Sequence, residues 1–324
     1  SLGTVAQTSS SDLDCWVCYD GDVTMAVEHG LKRKLDAMAL WADSEYGLEV
    51  HFYPMRMDDV RDNRFLSGDE ESSGSAQVLL LKEEFYRTAL KLAGKNIAWW
   101  VTPAGASRKM YESCIRAARR YPLCGKPRLE DFGHLAEVPP AEYFGGSLWQ
   151  MVKAIHSPFK SVLKLGLLET YAAPGASALP LCDRIKRNLI RNRQGRLDTD
   201  PYTALYSTLH DYYSERGEDN AAALLKESFR LKANLSDIPL FMNLPTRPED
   251  ESLISVLFGS GYVEPSRLAE THRTWPFDKS LRMGSHVRRY MVDTYQRIQE
   301  GLSSGGRATA KALVNPEDLT RMGR

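Results

Sequence analysis

Asp12 and Asp14 stand two residues apart at the entrance to an apolar, β-prone run, Leu13-Asp14-Cys15-Trp16-Val17-Cys18. In an extended chain, residues i and i+2 project to one side. Both acids therefore share a face, while Leu13 and Val17 take the other. A carboxylate pair at a strand start can hold a divalent cation against phosphate oxygens, because hard oxygen donors suit Mg²⁺ and such ions assist phosphoryl transfer. An Asp-rich turn before an ordinary strand has the same composition. Upstream, Ser1-Leu2-Gly3-Thr4-Val5-Ala6-Gln7-Thr8 and Ser9 to Ser11 are small and polar. A loop of this kind can bring N–H groups and hydroxyls close to phosphate.

Two-metal phosphoryl chemistry calls for a third carboxylate from a neighbouring strand. Val27, Leu31, Leu35 and Met38 recur at helical spacing, and Gly47 stands where that helix stops. In the following Leu48-Glu49-Val50-His51-Phe52-Tyr53, apolar and polar residues alternate, which predicts a half-buried strand with Glu49 on the face away from the core. Beside the first strand, Glu49 would complete a triad with Asp12 and Asp14. Asp58, Asp59 and Asp62, in the polar stretch beyond, compete for that role.

At this point the chain resembles the DNA polymerase beta nucleotidyltransferase superfamily, and within it, much more closely, the class I adenylate cyclases of enterobacterial type. Ser9-Ser10-Ser11-Asp12-Leu13-Asp14-Cys15-Trp16-Val17-Cys18 resembles that family's catalytic loop, and Glu84 to Lys95 a second block. Glu142-Tyr143-Phe144-Gly145-Gly146-Ser147-Leu148-Trp149-Gln150-Met151-Val152-Lys153 nearly reproduces a family signature, departing at Met151-Val152, where Leu-Tyr is usual. Ser157 to Lys164 continues the likeness, which is dense to about Tyr171 and thinner afterwards. Family members are much longer, with a stretch before the catalytic loop and a large C-terminal regulatory region, so the regulatory region or a regulatory protein is expected outside these residues. The glycine that normally precedes the loop serine would come just before Ser1.

The resemblance implies a mixed α/β fold: a polymerase-beta-like palm with a mixed sheet over 1–135, a helical domain closing on the nucleotide over 136–300, and a linker or the start of a regulatory region over 301–324. It implies ATP as substrate, cyclised to 3′,5′-cyclic AMP and pyrophosphate. Asp12, Asp14 and Glu49 would carry two Mg²⁺ ions, or Mn²⁺ in their place. Ser1 and Ser11 of the loop would meet the phosphates, with Lys160 and Lys164 neutralising charge from the helical side and Lys153 as a further candidate. Lys160 and Lys164 lie at i,i+4 and share a helix face, where an anion would relieve their mutual repulsion; a solvated basic face reads the same way. An intermolecular nucleotidyltransferase and a silent nucleotide-binding domain remain rival readings, because the acids alone do not separate them.

Composition sets bounds. The 324 residues allow about two domains. Lys+Arg 42 against Asp+Glu 42 gives no net charge, which argues against a nucleic-acid-coating surface. No apolar run reaches membrane-spanning length, so no membrane insertion is expected. Five cysteines without a disulfide-framework spacing suit a cytoplasmic setting. Cys15-x-x-Cys18 falls inside the predicted strand with no partner pair, which speaks against a zinc or redox site. Further along, a polar acidic loop is expected over Asp62 to Ala76, a helix over Glu83 to Ala93 and a strand over Ile97 to Thr102. Pro139-Pro140 marks a boundary. Ser157-Pro158 starts a helix, and further helices are expected near Leu181–Asn192, Tyr202–Arg216, Asn220–Lys232, Glu251–Leu257 and Val287–Glu300. A Gly/Ser-rich linker follows from Gly301.

Overall fold

The computed structural model describes residues 3–8, 11–64, 77–120, 129–173, 179–191, 199–233 and 275–304. The run that contains Asp14 forms β1 (Leu13–Tyr19), with Asp12 immediately before it. α1 (Met25–Tyr46) follows, and Gly47 ends it at φ 59°, its N–H donating to the Asp43 carbonyl at 2.8 Å and the next N–H, of Leu48, to the Ala42 carbonyl at 3.2 Å. The chain then enters β2 (Val50–Arg56), which runs parallel to β1 in a register from Leu13↔Val50 to Tyr19↔Arg56. Of the apolar stripe expected on α1, Leu35 is buried, whereas Val27 and Met38 are 57% and 43% exposed, so the helix docks along a narrower line than its spacing suggests.

Tertiary demands move two expected elements. α2 (Met57–Arg61) follows β2 directly, and α3 (Val78–Thr88) starts and ends earlier than the predicted Glu83–Ala93. The reason lies far away in sequence: the Glu142 carboxylate accepts the N–H groups of Leu79 and Leu80 at 2.7 and 3.1 Å, capping α3 from another helix. The strand expected over Ile97–Thr102 is only β3 (Asn96–Ile97), paired with β4 (Leu129–Glu130), and a 3₁₀ turn over Ala98–Val101 replaces the rest. That turn lets Trp99 lie flat on Tyr86, with ring centroids 4.6 Å apart, and aims its carbonyl at the Lys186 ammonium. Both ladders among the described residues are two-stranded and parallel. The α/β class stands, with helix predominating.

α4 (Arg108–Arg120) precedes β4, and from Pro140 the described chain is helical. α5 (Pro140–Lys153), α6 (Pro158–Ala172), α7 (Leu181–Arg191), α8 (Pro201–Glu215) and α9 (Asp219–Lys232) fall close to their expected positions. α10 (Phe277–Ser304) starts well before Val287 and runs through Gly301–Ser304, so these residues finish a helix instead of opening a linker. Ser157 makes no side-chain cap, whereas Asp200 caps α8 by accepting from Tyr202 and Thr203, each at 2.9 Å. The helix expected near Glu251–Leu257 and the loop over 65–76 lie outside the described residues.

The larger buried cluster surrounds α6, whose Val162, Leu163 and Leu165 have no exposed surface, with α5, α8, α9 and α10 packed around it. Gly166 permits this closeness, since a Cβ there would stand 2.6 Å from the Tyr290 hydroxyl. The smaller cluster joins Met55, Val60, Tyr86, Trp99, Tyr111 and Ile115 beside the β1–β2 ladder. Ionic contacts tie the clusters together. Glu83 pairs with Arg87 at 3.0 Å and accepts the Cys182 N–H of α7 at 2.9 Å, while Glu84 pairs with Lys164 of α6 at 2.8 Å. No described helix is long and apolar enough to cross a membrane.

Candidate active site

Strand pairing decides where the acids go. Asp14 lies opposite His51 in the parallel register, so alternation puts Asp12, Asp14, Glu49 and His51 on one face. The Leu13 N–H bonds the Glu49 carbonyl at 2.9 Å, which fixes Glu49 beside the start of β1. Asp14 is exposed, Asp12 half-buried, and the Glu49 side chain 70% exposed. Further along the same face, Trp16 stacks on Phe85 of α3 with centroids 4.2 Å apart, and Met55 is buried. The acids thus stand at the rim of a face that is core a few residues on.

Glu49 Oε1 and His51 Nε2 are 2.9 Å apart, and the Tyr53 hydroxyl donates to Asp14 Oδ1 at 3.3 Å. Burial works against the charged imidazole of His51, but Glu49, Asp14 and Asp12 together lift its pKa above the usual value. One ring therefore feels all three acids. Their side chains are nonetheless not gathered into a cage: no group of three or more His, Cys, Asp or Glu is close enough to hold a metal among the described residues. The competing acids are engaged elsewhere, Asp58 with Arg61 at 2.6 Å, and Asp59 and Asp62 with Arg64 at 3.2 and 2.7 Å.

The two lysines of α6 differ. Lys164 is held by Glu84 at 2.8 and 2.9 Å. Burial would raise the Glu84 pKa, yet Lys164 and Arg87 hold it well below the usual carboxylate range. Lys160 is half-buried and forms no hydrogen bond or ion pair with any described residue. Burial opposes its charge, but Tyr202, Glu84, Asp12 and Asp14 raise its pKa above the ordinary lysine value. Its ammonium therefore lies in the field of the β1 acid pair.

A third cation, Lys232 in the last turn of α9, escaped the sequence reading. Burial lowers its pKa, Lys160 and Lys164 add to the lowering, and Tyr202 and Asp12 oppose it; its Nζ donates to the Ala6 carbonyl at 3.2 Å. In sequence it reads as an ordinary helix-end cation. Only the packing of α9 on α6 brings it towards Asp12.

The N-terminal loop is occupied with itself. The N–H groups of Gly3, Val5, Ala6, Gln7 and Thr8 bond Gln7, Asp200, Thr4, Thr4 and Ser11 respectively, with Ser11 Oγ accepting from Thr8 at 2.9 Å. In this conformation the described turn holds those donors inward. Ser1 lies outside the described residues. Lys153, at the end of α5, sits 4.9 Å over the Trp149 ring. Cys15 and Cys18 are free thiols; burial and the charge of Glu130 push Cys18 up to about 12.

Comparison with known proteins places this geometry in a family. Residues 1–100 match the family described as the adenylate cyclase NT domain, and residues 138–320 match the class-I adenylate cyclase second domain. The chain belongs to the class-I adenylate cyclases. It is 35% identical over 239 residues to the adenylate cyclase of Pasteurella multocida, a match covering 72% of this chain and 28% of the relative. To the adenylate cyclases of Haemophilus influenzae and Escherichia coli strain K12 it is 34% identical over 238 and 232 residues, covering 72% of this chain and 28% and 27% of those relatives. The chain thus spans under a third of the length of these curated relatives. No solved structure matches it.

Proposed function

We propose that this chain carries the catalytic centre of an adenylate cyclase, which converts ATP to 3′,5′-cyclic AMP and pyrophosphate. What carries the reading is Lys160: a half-buried ammonium without a bonded partner among the described residues, set in the field of Asp12 and Asp14. A triphosphate with its cation would bridge the two. In this reading, residues 1–135 form a polymerase-beta-like palm and residues 136–300 close over the nucleotide.

The donor set fits magnesium. Asp12, Asp14 and Glu49 offer carboxylate oxygens from one strand face, and Mg²⁺ binds through one or two carboxylates, keeping waters and taking the rest of its shell from phosphates. A ready-made three-ligand cage is not required. Two Mg²⁺, or Mn²⁺ in their place, would lower the pKa of the ribose 3′-hydroxyl and stabilise the leaving pyrophosphate. Lys160 neutralises phosphate charge from the helical side, with Lys232 behind it. Lys164 acts through Glu84, fixing the α6 face from which Lys160 projects. Tyr53 orients Asp14 by its hydrogen bond.

Asp14→Asn keeps the side chain's shape and removes its charge. It is expected to abolish cyclisation while leaving the circular dichroism spectrum and the unfolding midpoint unchanged; normal turnover would remove Asp14 from the site. Incubation with labelled ATP and Mg²⁺ separates the chemistries: free cyclic AMP supports cyclisation, whereas label transferred to an added acceptor identifies an intermolecular transferase.

A further inference from the structure

A cavity of about 380 Å³ lies between the turn at Trp99, the loop after β4 and the first turns of α5 and α7, and no residue of β1 or β2 lines it. Its volume is within the range of small-molecule sites. Tyr111, Tyr143 and Tyr171 stand in its wall, the last two 6.4 Å apart between ring centroids. Asp183, in the first turn of α7, belongs to the same wall and is 7% exposed. Among the described residues its carboxylate meets one hydrogen-bond donor, the Gly105 N–H, and no cation forms an ion pair with it. Lys186, one turn on, is committed elsewhere: its Nζ donates to the Trp99 carbonyl and, at 3.0 Å, to Thr102 Oγ1, and lies 3.9 Å over the Trp99 ring. Burial raises the Asp183 pKa, with Gly105, Lys186, His134 and Arg187 opposing. Glu83, on the same wall, is by contrast satisfied by Arg87 and by the Cys182 N–H. An ionised carboxylate taken out of water needs a paired cation and further donors. The surrounding wall adds acceptors. His134 Nε2 donates to the Ala106 carbonyl at 2.8 Å, which leaves Nδ1 of the neutral ring an acceptor, and Glu137 stands at the exposed rim.

We propose that this cavity binds a small organic cation, a primary ammonium on a short carbon skeleton. The ammonium pairs with Asp183 and supplies the donors that the wall lacks. The carbon skeleton lies against the tyrosine rings, whose faces also attract positive charge. A hard metal ion takes six or more oxygens, and one carboxylate among aromatic rings is no cage for it. An anion would face Asp183, Glu83 and Glu137 on one wall. The cavity shares no residue with the nucleotide reading and does not depend on it.

Calorimetric titration of the chain with hexylammonium, hexanol and hexanoate tests this. One-to-one saturable binding of hexylammonium is expected, with hexanol and hexanoate weaker by about tenfold or more, the usual worth of a hydrogen bond to a charged group. Asp183→Asn keeps the shape of the side chain and removes its charge, and should weaken hexylammonium about tenfold while leaving hexanol unchanged. Ala136→Trp crowds the cavity from an exposed position of its wall and should weaken all uptake, so the location is tested even where Asp183→Asn does not fold. Absence of saturable hexylammonium binding would overturn the proposal and leave Asp183 a neutral acid of the interior. Hexanol or hexanoate bound as tightly, or a hexylammonium affinity unchanged by either substitution, would overturn it too. So would displacement of hexylammonium by Mg²⁺, which would make Asp183 a metal ligand.

Discussion

Glu142 offers the sharpest quantitative test of how the fold is held. Its carboxylate is 7% exposed and caps α3 through the N–H groups of Leu79 and Leu80. Burial raises its pKa from 4.5 to about 7, with the two backbone bonds opposing. An acid whose pKa is raised on folding binds more protons in the native than in the unfolded chain between the two values. Stability therefore falls as pH rises from 4.5 to 7, and the whole loss persists above 7. The difference, 7 − 4.5, is 2.5 pKa units. At about 1.4 kcal/mol per unit this is roughly 3 kcal/mol. Glu142→Gln keeps the carbonyl acceptor for both N–H groups and never ionises. In urea unfolding followed by circular dichroism, the variant should exceed the parent by about 3 kcal/mol at pH 8 and match it within about 1 kcal/mol at pH 5. An equal difference at both pH values would refute the reasoning. So would a variant that is the less stable protein at pH 8, which would mean that the ionised carboxylate itself secures α3.

Substituting the paired lysines of α6 should give opposite phenotypes. Lys160→Met is expected to raise the KM for ATP about tenfold or more with little change in stability, read by steady-state cyclase kinetics. Lys164→Met should instead destabilise by about 2–3 kcal/mol in chemical unfolding, less than a fully buried pair, because Lys164 and Glu84 are 21% and 26% exposed and Arg87 remains 3.8 Å from Glu84. Arg297→Ala removes the forked partner, at 2.7 and 3.0 Å, of the buried Glu169. It should cost about 3 kcal/mol, checked by unfolding midpoints. Glu169→Gln in the same background should restore part of that loss: it removes the uncompensated buried charge, and one of the two tyrosine hydroxyls, which donate to different carboxylate oxygens, still finds the amide oxygen.

Helices with strong local punctuation were legible in the sequence. Gly47 after α1, Pro140 and Pro158 at helix starts, and Asp200-Pro201 before α8 mark positions that the fold respects. The acid face was legible too, because strand alternation is a local property. Three things were not. α3 is placed by a carboxylate of α5, and the strand expected at Trp99 yields to a buried cation from α7; both depend on contacts distant in sequence. Lys232 reaches the site only through the packing of α9. The signature block at Glu142 shows the same gap from the other side. It reads as a mark of family, whereas its residues act in packing: Glu142 caps α3, Phe144 is buried, and a Cβ on Gly146 would stand 2.9 Å from Leu80.

The clasp between the N-terminal turn and the helices near its opposite end also bears on timing during synthesis. Val5 bonds Asp200 across 195 positions, and Lys232 bonds Ala6 across 226. On a ribosome adding roughly 5–20 residues per second, the first of those partners waits roughly 10–45 s for the second. A nascent chain therefore displays its acids long before the cations that answer them have emerged. In the proposed reading the centre is completed only once α9 has been made, and a product terminated before it would carry the strands without Lys232.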